Sequence, residues 1–208
     1  MCGRYVVKNP VTKTSNLVKS PIQVEDTENY NAHPYQKLPV IKKYKNGNTL
    51  ENLQWGLVPG WAKNNDFKAL INARLETIDE KVSFKKLIKN NRCVAVADGF
   101  YEWKREEKEK TPHYFLRKDT NTIYFAGIFE EDKFCLITEE ANDNINAIHN
   151  RQPVILNQTD VNRYLNLELQ GSSFLKERKV PDLIFYEVSK DVNKPTNNTA
   201  SLIQNISS

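Results

Sequence analysis

The hydrophobic and polar positions of this chain follow a strand-like pattern over most of its length. Short apolar runs rich in β-branched and aromatic residues fall at 4–7, 38–44, 50–57, 93–97, 100–104, 113–117, 123–129, 134–138 and 183–188. Between the second and third runs lies Lys45-Asn46-Gly47-Asn48. An Asn-Gly pair accepts the positive φ of a tight turn, so a hairpin is predicted there. Helical spacing is rarer. Residues 79–89 set Val82, Phe84, Leu87 and Ile88 near one face behind an acidic start. Residues 159–166 and 172–177 predict two short helices, the first capped by Thr159. The run KREEKEK at 104–110 alternates in charge between two apolar runs and reads as an exposed hairpin connection. Many strands with scattered helices predict an α+β fold with a strongly bent or barrel-like, mostly antiparallel sheet.

Composition narrows the class. At 208 residues, without repeats or a linker-like stretch, one domain over 1–208 is expected. No apolar run is long enough to span a membrane. The start, MCGRYVVKNP, lacks the apolar core of a secretory signal, so a cytoplasmic or nucleoid-associated location is expected. A net charge of +4 permits nucleic-acid binding without requiring it. Cys2, Cys93 and Cys135 include no CxxC pair and do not form a disulfide framework. His33, His113 and His149 lack metal-ligand spacing, so neither a metal nor a cofactor is expected.

Cys2 is the first position with distinctive chemistry. If Met1 is removed, the chain begins with a free 1,2-aminothiol. Its amine and thiol are both partly nucleophilic near neutral pH. Nitrogen can attack an aldehyde and sulfur can then close a thiazolidine ring, which an internal cysteine cannot do. From Cys2 alone, an incidental cysteine is the favoured reading. Asn72, in Ile71-Asn72-Ala73-Arg74, can orient an amine without titrating, and Arg74 can hold a phosphate. Glu102 stands between Tyr101 and Trp103, where desolvation would raise its pKa toward that of a general acid/base. Asp98 competes for that role, but Asp98-Gly99 reads as a turn. His149 lies in a polar stretch just before the apolar run Pro153-Val154-Ile155-Leu156 and can present a proton donor at a sheet end. Arg4, Arg74 and Arg151 near an exposed Trp61 would suit a single strand of nucleic acid, although tryptophans are core residues by default.

Taken in order, several elements resemble the SOS response-associated peptidase family, whose SRAP domains react with abasic sites in DNA. They are Met1-Cys2-Gly3-Arg4, Tyr30-Asn31-Ala32-His33-Pro34, Trp55-Gly56 with Pro59-Gly60-Trp61, and Ile71-Asn72-Ala73-Arg74 with Glu76-Thr77. Then come Arg92-Cys93, Asp98-Gly99-Phe100-Tyr101-Glu102-Trp103, Ala126-Gly127-Ile128, His149-Asn150-Arg151 with Pro153, and Val188-Ser189 with Val192-Asn193. The resemblance implies a barrel-containing sheet with short helices, catalytic residues Cys2, Asn72, Glu102 and His149, and a DNA cleft built on Arg4, Pro34, Trp61, Arg74 and Arg151. It further implies a monomer that takes single-stranded DNA carrying abasic sites and forms a thiazolidine crosslink through a Schiff base. Weak lyase activity and self-processing peptidase activity are implied too. The chain departs from the family pattern at Gln152, where Met is usual, at Asn150, where Asp is usual, and at His33, where Ala is usual. Two other readings remain open at this level. One is a glutaminase-like enzyme with an N-terminal cysteine nucleophile. The other is a non-covalent single-strand-binding module.

Overall fold

In a computed structural model of the chain, residues 2–19, 21–62, 67–107 and 109–206 are described. Met1, whose removal the expected N-terminal chemistry requires, and Lys108 of the charged hairpin run lie outside them. The strands are β1 (Tyr5–Lys8), β2 (Glu28–Ala32), β3 (Lys37–Tyr44), β4 (Gly47–Trp55), β5 (Asn72–Arg74), β6 (Arg92–Ala97), β7 (Gly99–Glu106), β8 (Glu109–Arg117), β9 (Ile123–Glu130), β10 (Lys133–Glu140), β11 (Arg151–Pro153), β12 (Ile155–Leu156) and β13 (Leu183–Glu187). The helices are short: α1 (Pro10–Thr14), α2 (Leu87–Asn90), α3 (Asp143–Asn146), α4 (Gln158–Leu165) and α5 (Ser173–Glu177).

Five of the strands close on themselves. β10 pairs with β4, β4 with β3, β3 with β6, β6 with β9, and β9 returns to β10. The closing contact between β4 and β10 is parallel, with Phe134 opposite Trp55. β5 adds a second parallel pairing to β10, and β11 and β12 extend the sheet outside the ring. A second, antiparallel sheet runs in the order β13-β8-β7-β1-β2. The expected bent, barrel-containing, mostly antiparallel sheet is therefore present.

β6 shows how the layers are joined. All six of its residues are buried, as expected for a strand covered on both faces. Val94 and Val96 face a cluster that includes Leu87 and Ile88 of α2, Tyr164 of α4 and Phe174 of α5. Cys93, Ala95 and Ala97 face the opposite cluster, with Tyr5, Trp55, Phe100 and Phe115. Tyr5 packs on Trp55 and Phe125 with ring centroids 5.3 and 5.7 Å apart, joining the two sheets. Arg92 is buried and donates to the carbonyls of Ile88, Tyr164, Leu169 and Gly171, tying α2, α4 and the turn after α4 together.

Local expectations fail where tertiary partners compete. The hairpin between β3 and β4 forms, but its positive φ of 49° falls on Lys45 while Gly47 opens β4. Residues 79–89 are not one helix: only Leu87–Asn90 is α-helical, and Val82 is exposed. Asp79 does not cap that segment. Its carboxylate accepts from Ser172 N and Oγ at 3.1 and 2.5 Å. α4 is preceded by Asn157 at the N-cap, with Thr159 already inside the helix. β1 begins at Tyr5 rather than Arg4. β2 is too polar to read as a strand; its buried Asn31 instead donates to Val192, Lys194 and Asn197 carbonyls of the C-terminal turn. Among the described residues no helix is long and apolar enough to cross a membrane.

Candidate active site

β1 and β7 pair with Tyr5 opposite Phe100, and Tyr101 N donates to Arg4 O at 3.0 Å. Continuing that register brings Glu102 alongside residues 2 and 3. Cys2 is fully buried there, packed with Tyr5, Trp55 and Phe134, and its Sγ lies 3.9 Å from Arg4 O. The parallel pairing of β5 with β10 sets Asn72 at the first position of β5, opposite Leu136. From there its Nδ2 donates to Cys2 O at 3.0 Å. Its Oδ1 is buried and accepts no hydrogen bond among the described residues.

His149 arrives from another direction. Asn142 caps α3, and His149 N donates to Ile145 O just past that helix at 2.9 Å. The Arg151 amide then donates to His149 Nδ1 at 3.0 Å. Arg151 O also lies 3.3 Å from Nδ1, but the amide is nearer and can only donate. Nδ1 is therefore an acceptor, and the neutral ring carries its proton on Nε2. That nitrogen faces Glu102 Oε2 at 4.0 Å.

The electrostatics follow from burial. Glu102 is 3% exposed, and desolvation pushes its carboxyl up to about 7. A carboxyl in that range gives and takes a proton with comparable ease near neutral pH. Burial also holds the Cys2 thiol far above its ordinary range, and the neighbouring Glu102 charge adds to the effect. The thiol is thus neutral at rest and needs a base, and Glu102 is the carboxylate beside it. His149 is shifted down, first by burial and further by the Arg105 and Arg151 charges. It is a neutral Nε2–H donor at physiological pH.

Cys2, Asn72, Glu102 and His149 are therefore brought together. The residues expected to hold DNA fall into two groups. Arg4 is turned inward: its Nη1 donates to Asn31 Oδ1 and Val192 O, both at 2.7 Å. Arg151 is also buried, forked onto Glu76 at 2.7 and 3.0 Å and bonded to Thr138 O at 2.8 Å. Arg74 is exposed and makes no ion pair among the described residues. Trp61 is 54% exposed with Phe67 edge-on at 5.6 Å, and Pro34 is half-buried beside His33, whose Nδ1 lies 2.8 Å from Pro34 O. Asp98 accepts from Lys8 N at 2.8 Å and pairs with Lys13, so it fastens the end of β1.

Beside the four central groups lies a cleft of about 370 Å³, lined by Glu102, His149, Trp103, Arg105, Lys110 and Asn193. The last four were not apparent as site residues from the sequence. Arg105 and Lys110 belong to the charged run read as a solvated turn. Their signal was strand alternation, which carries Trp103 and Arg105 to one face. Among the described residues no cluster of His, Cys, Asp and Glu could hold a metal ion.

Known proteins resemble the chain over nearly all of its length. Residues 1–195 match the family model "SOS response associated peptidase (SRAP)". The chain is 34% identical to the "Abasic site processing protein YoqW" of Bacillus subtilis, over 98% of this chain and 99% of that one. It is 29% identical to the "Abasic site processing protein YedK" of Escherichia coli, over 98% and 99%. A crystal structure of a protein from Bacteroides thetaiotaomicron superposes with a TM-score of 0.83 and 25% identity, covering 98% of this chain and 99% of that one. With a family model spanning nearly all of its length and a relative as similar as YoqW, the chain belongs to the SOS response associated peptidase family.

Proposed function

We propose that this protein processes abasic sites in single-stranded DNA by capturing them covalently on Cys2. The carrying observation is the convergence on one buried cysteine of an amide that grips its carbonyl and a carboxyl poised near neutrality. The names of the relatives support the same reading. The reactive form lacks Met1, so that the Cys2 nitrogen is a free amine.

The abasic sugar opens to its aldehyde as the Glu102 carboxylate takes the C1′ hydroxyl proton and returns it to the ring oxygen, while His149 Nε2–H stabilises that oxygen by a hydrogen bond. The Cys2 amine adds to the aldehyde carbon. Its two protons pass by way of Glu102 to the carbonyl oxygen, which leaves as water and gives an imine. The Cys2 thiol gives its proton to the Glu102 carboxylate while sulfur attacks the imine carbon, and the nitrogen takes that proton back. The product is a thiazolidine, formed with loss of one water overall. Asn72 fixes Cys2 through its carbonyl, and its free Oδ1 accepts from the amine. Proton loss from C2′ of the imine, where it outran ring closure, would cut the strand 3′ to the lesion.

Intact mass spectrometry tests the proposal. Protein lacking Met1, incubated with an abasic single strand, should gain the oligonucleotide mass minus one water. An unchanged mass, with the DNA aldehyde still titratable, would overturn it.

A further inference from the structure

The cleft beside Glu102 contains a group of side chains that the chemistry above leaves unused. Trp103 Nε1 donates to Asn193 Oδ1 at 2.7 Å. Indole nitrogen can only donate, so this bond settles which way the Asn193 amide points. Its oxygen is turned to Trp103, and its NH₂ is the end left for the cleft. Arg105 and Lys110 stand beside it. They are opposite one another in the β7–β8 ladder, and both are exposed. Neither side chain forms a hydrogen bond or a close ion pair among the described residues, and the Arg105 charge reaches Glu102 only through space.

Two like charges directly across a ladder repel. The neighbouring positions show the same separation with the opposite sign: Glu106 is opposite Glu109, and alternation turns that pair to the other face. The acids on that face have cations of their own, Lys104 at 2.6 Å from Glu106 and Lys190 at 3.8 Å from Glu109. The Arg105–Lys110 face has none. The hairpin is thus basic on the side of Trp103 and Asn193 and charge-balanced on the reverse. Every free polar group of Asn193, Arg105 and Lys110 is a donor, and two carry positive charge. Such a set matches an anion whose oxygens only accept.

We infer that Asn193, Arg105 and Lys110 form a phosphate-binding arm that grips the DNA backbone on the Trp103 side of the abasic sugar. Trp103 is the positioning residue that aims Asn193. The arm is distinct from the arginines expected from the sequence, of which Arg4 and Arg151 are engaged inside the protein. The inference rests on the proposed DNA function but concerns affinity, which can be read without the covalent step.

The test measures binding of undamaged single-stranded DNA by fluorescence anisotropy across a salt series. Each phosphate contact adds about 0.7 to the steepness of log K against log salt. Arg105→Ala and Lys110→Ala should each flatten the slope by about 0.7. Asn193→Asp keeps the oxygen that Trp103 holds but presents a carboxylate to the phosphate, and should weaken binding about tenfold. Lys85→Ala, in the turn before α2, serves as the control and should keep the wild-type slope. Wild-type slopes and affinities in all three arm variants would overturn the arm, even if the wild type crosslinks abasic DNA. Flattened slopes with no crosslink from the wild type would support the arm and refute the covalent proposal alone.

Discussion

Replacing Glu102 by Gln is expected to make the protein more stable at neutral pH, although Glu102 stands in the reacting centre. In the unfolded chain the carboxyl ionises near its ordinary 4.5, whereas burial keeps it protonated in the fold up to about 7. Between those values the native state binds more protons than the unfolded state, so stability falls as pH rises. The loss is absent below about 4.5 and complete above about 7. At about 1.36 kcal/mol per pH unit, that interval corresponds to about 3 kcal/mol. Gln carries no titrating proton and escapes the penalty while keeping the shape. Urea unfolding of both proteins at pH 4.5 and pH 8 measures it. The stability of the variant relative to wild type should rise by about 3 kcal/mol between the two, shifting the midpoint by about 1–2 M urea for an m-value near 2 kcal/mol/M. A difference that stays constant from pH 4.5 to 8 would show that Glu102 is not held protonated, and the acid–base assignment would lose its physical basis.

Cys2→Ala keeps the amine and loses the sulfur, so the heat-stable DNA adduct should vanish on a denaturing gel while a borohydride-trapped imine survives. In single-turnover crosslinking, Glu102→Gln should slow the reaction by about 10²-fold or more, whereas Asp98→Asn, which only loosens the Lys8 and Lys13 contacts, should keep the rate; the opposite pattern would exchange their roles. Arg74→Ala should flatten the salt slope of single-strand binding by about 0.7, while Arg151→Ala, whose charge already meets Glu76, should lower the thermal midpoint instead. Gly99→Ala would place a Cβ 2.4 Å from the Tyr114 ring and 2.5 Å from Phe115 O, and should destabilise by about 1–3 kcal/mol in the same urea assay.

The architecture was legible where burial on two faces forced a recognisable pattern. The unbroken buried runs of β6, of Leu38–Ile41 in β3 and of Ile123–Ile128 in β9 are examples. It was illegible where a polar side chain does tertiary work. The strand at Glu28–Ala32 reads as a loop because Asn31 is polar, yet that amide is buried to hold the C-terminal turn. Asp79 reads as a helix start because its bond to Ser172 lies far away in the chain. The central site was legible as residue types in order, and Glu102 between two aromatics carried its own physical signal. The arginines were not, since a guanidinium looks the same in sequence whether it meets a phosphate or Glu76. Nor could sequence reveal the proton position on His149, which depends on a single backbone amide.

The closure of the ring through β10 bears on timing. This strand pairs with β4, β5, β9 and β11, and its Phe134 and Leu136 belong to the cluster that covers Cys2. A ribosome makes the N-terminus first and must add about 130 further residues, on the order of 10 s of elongation, before β10 emerges. During that interval the nascent chain has no lid for its second residue. Once β10 docks, Cys2 is buried beside the cleft. On the proposed reading of Cys2, vectorial synthesis separates maturation of the N-terminus from its enclosure, and the strand that encloses the residue also completes the pocket of the proposed reaction.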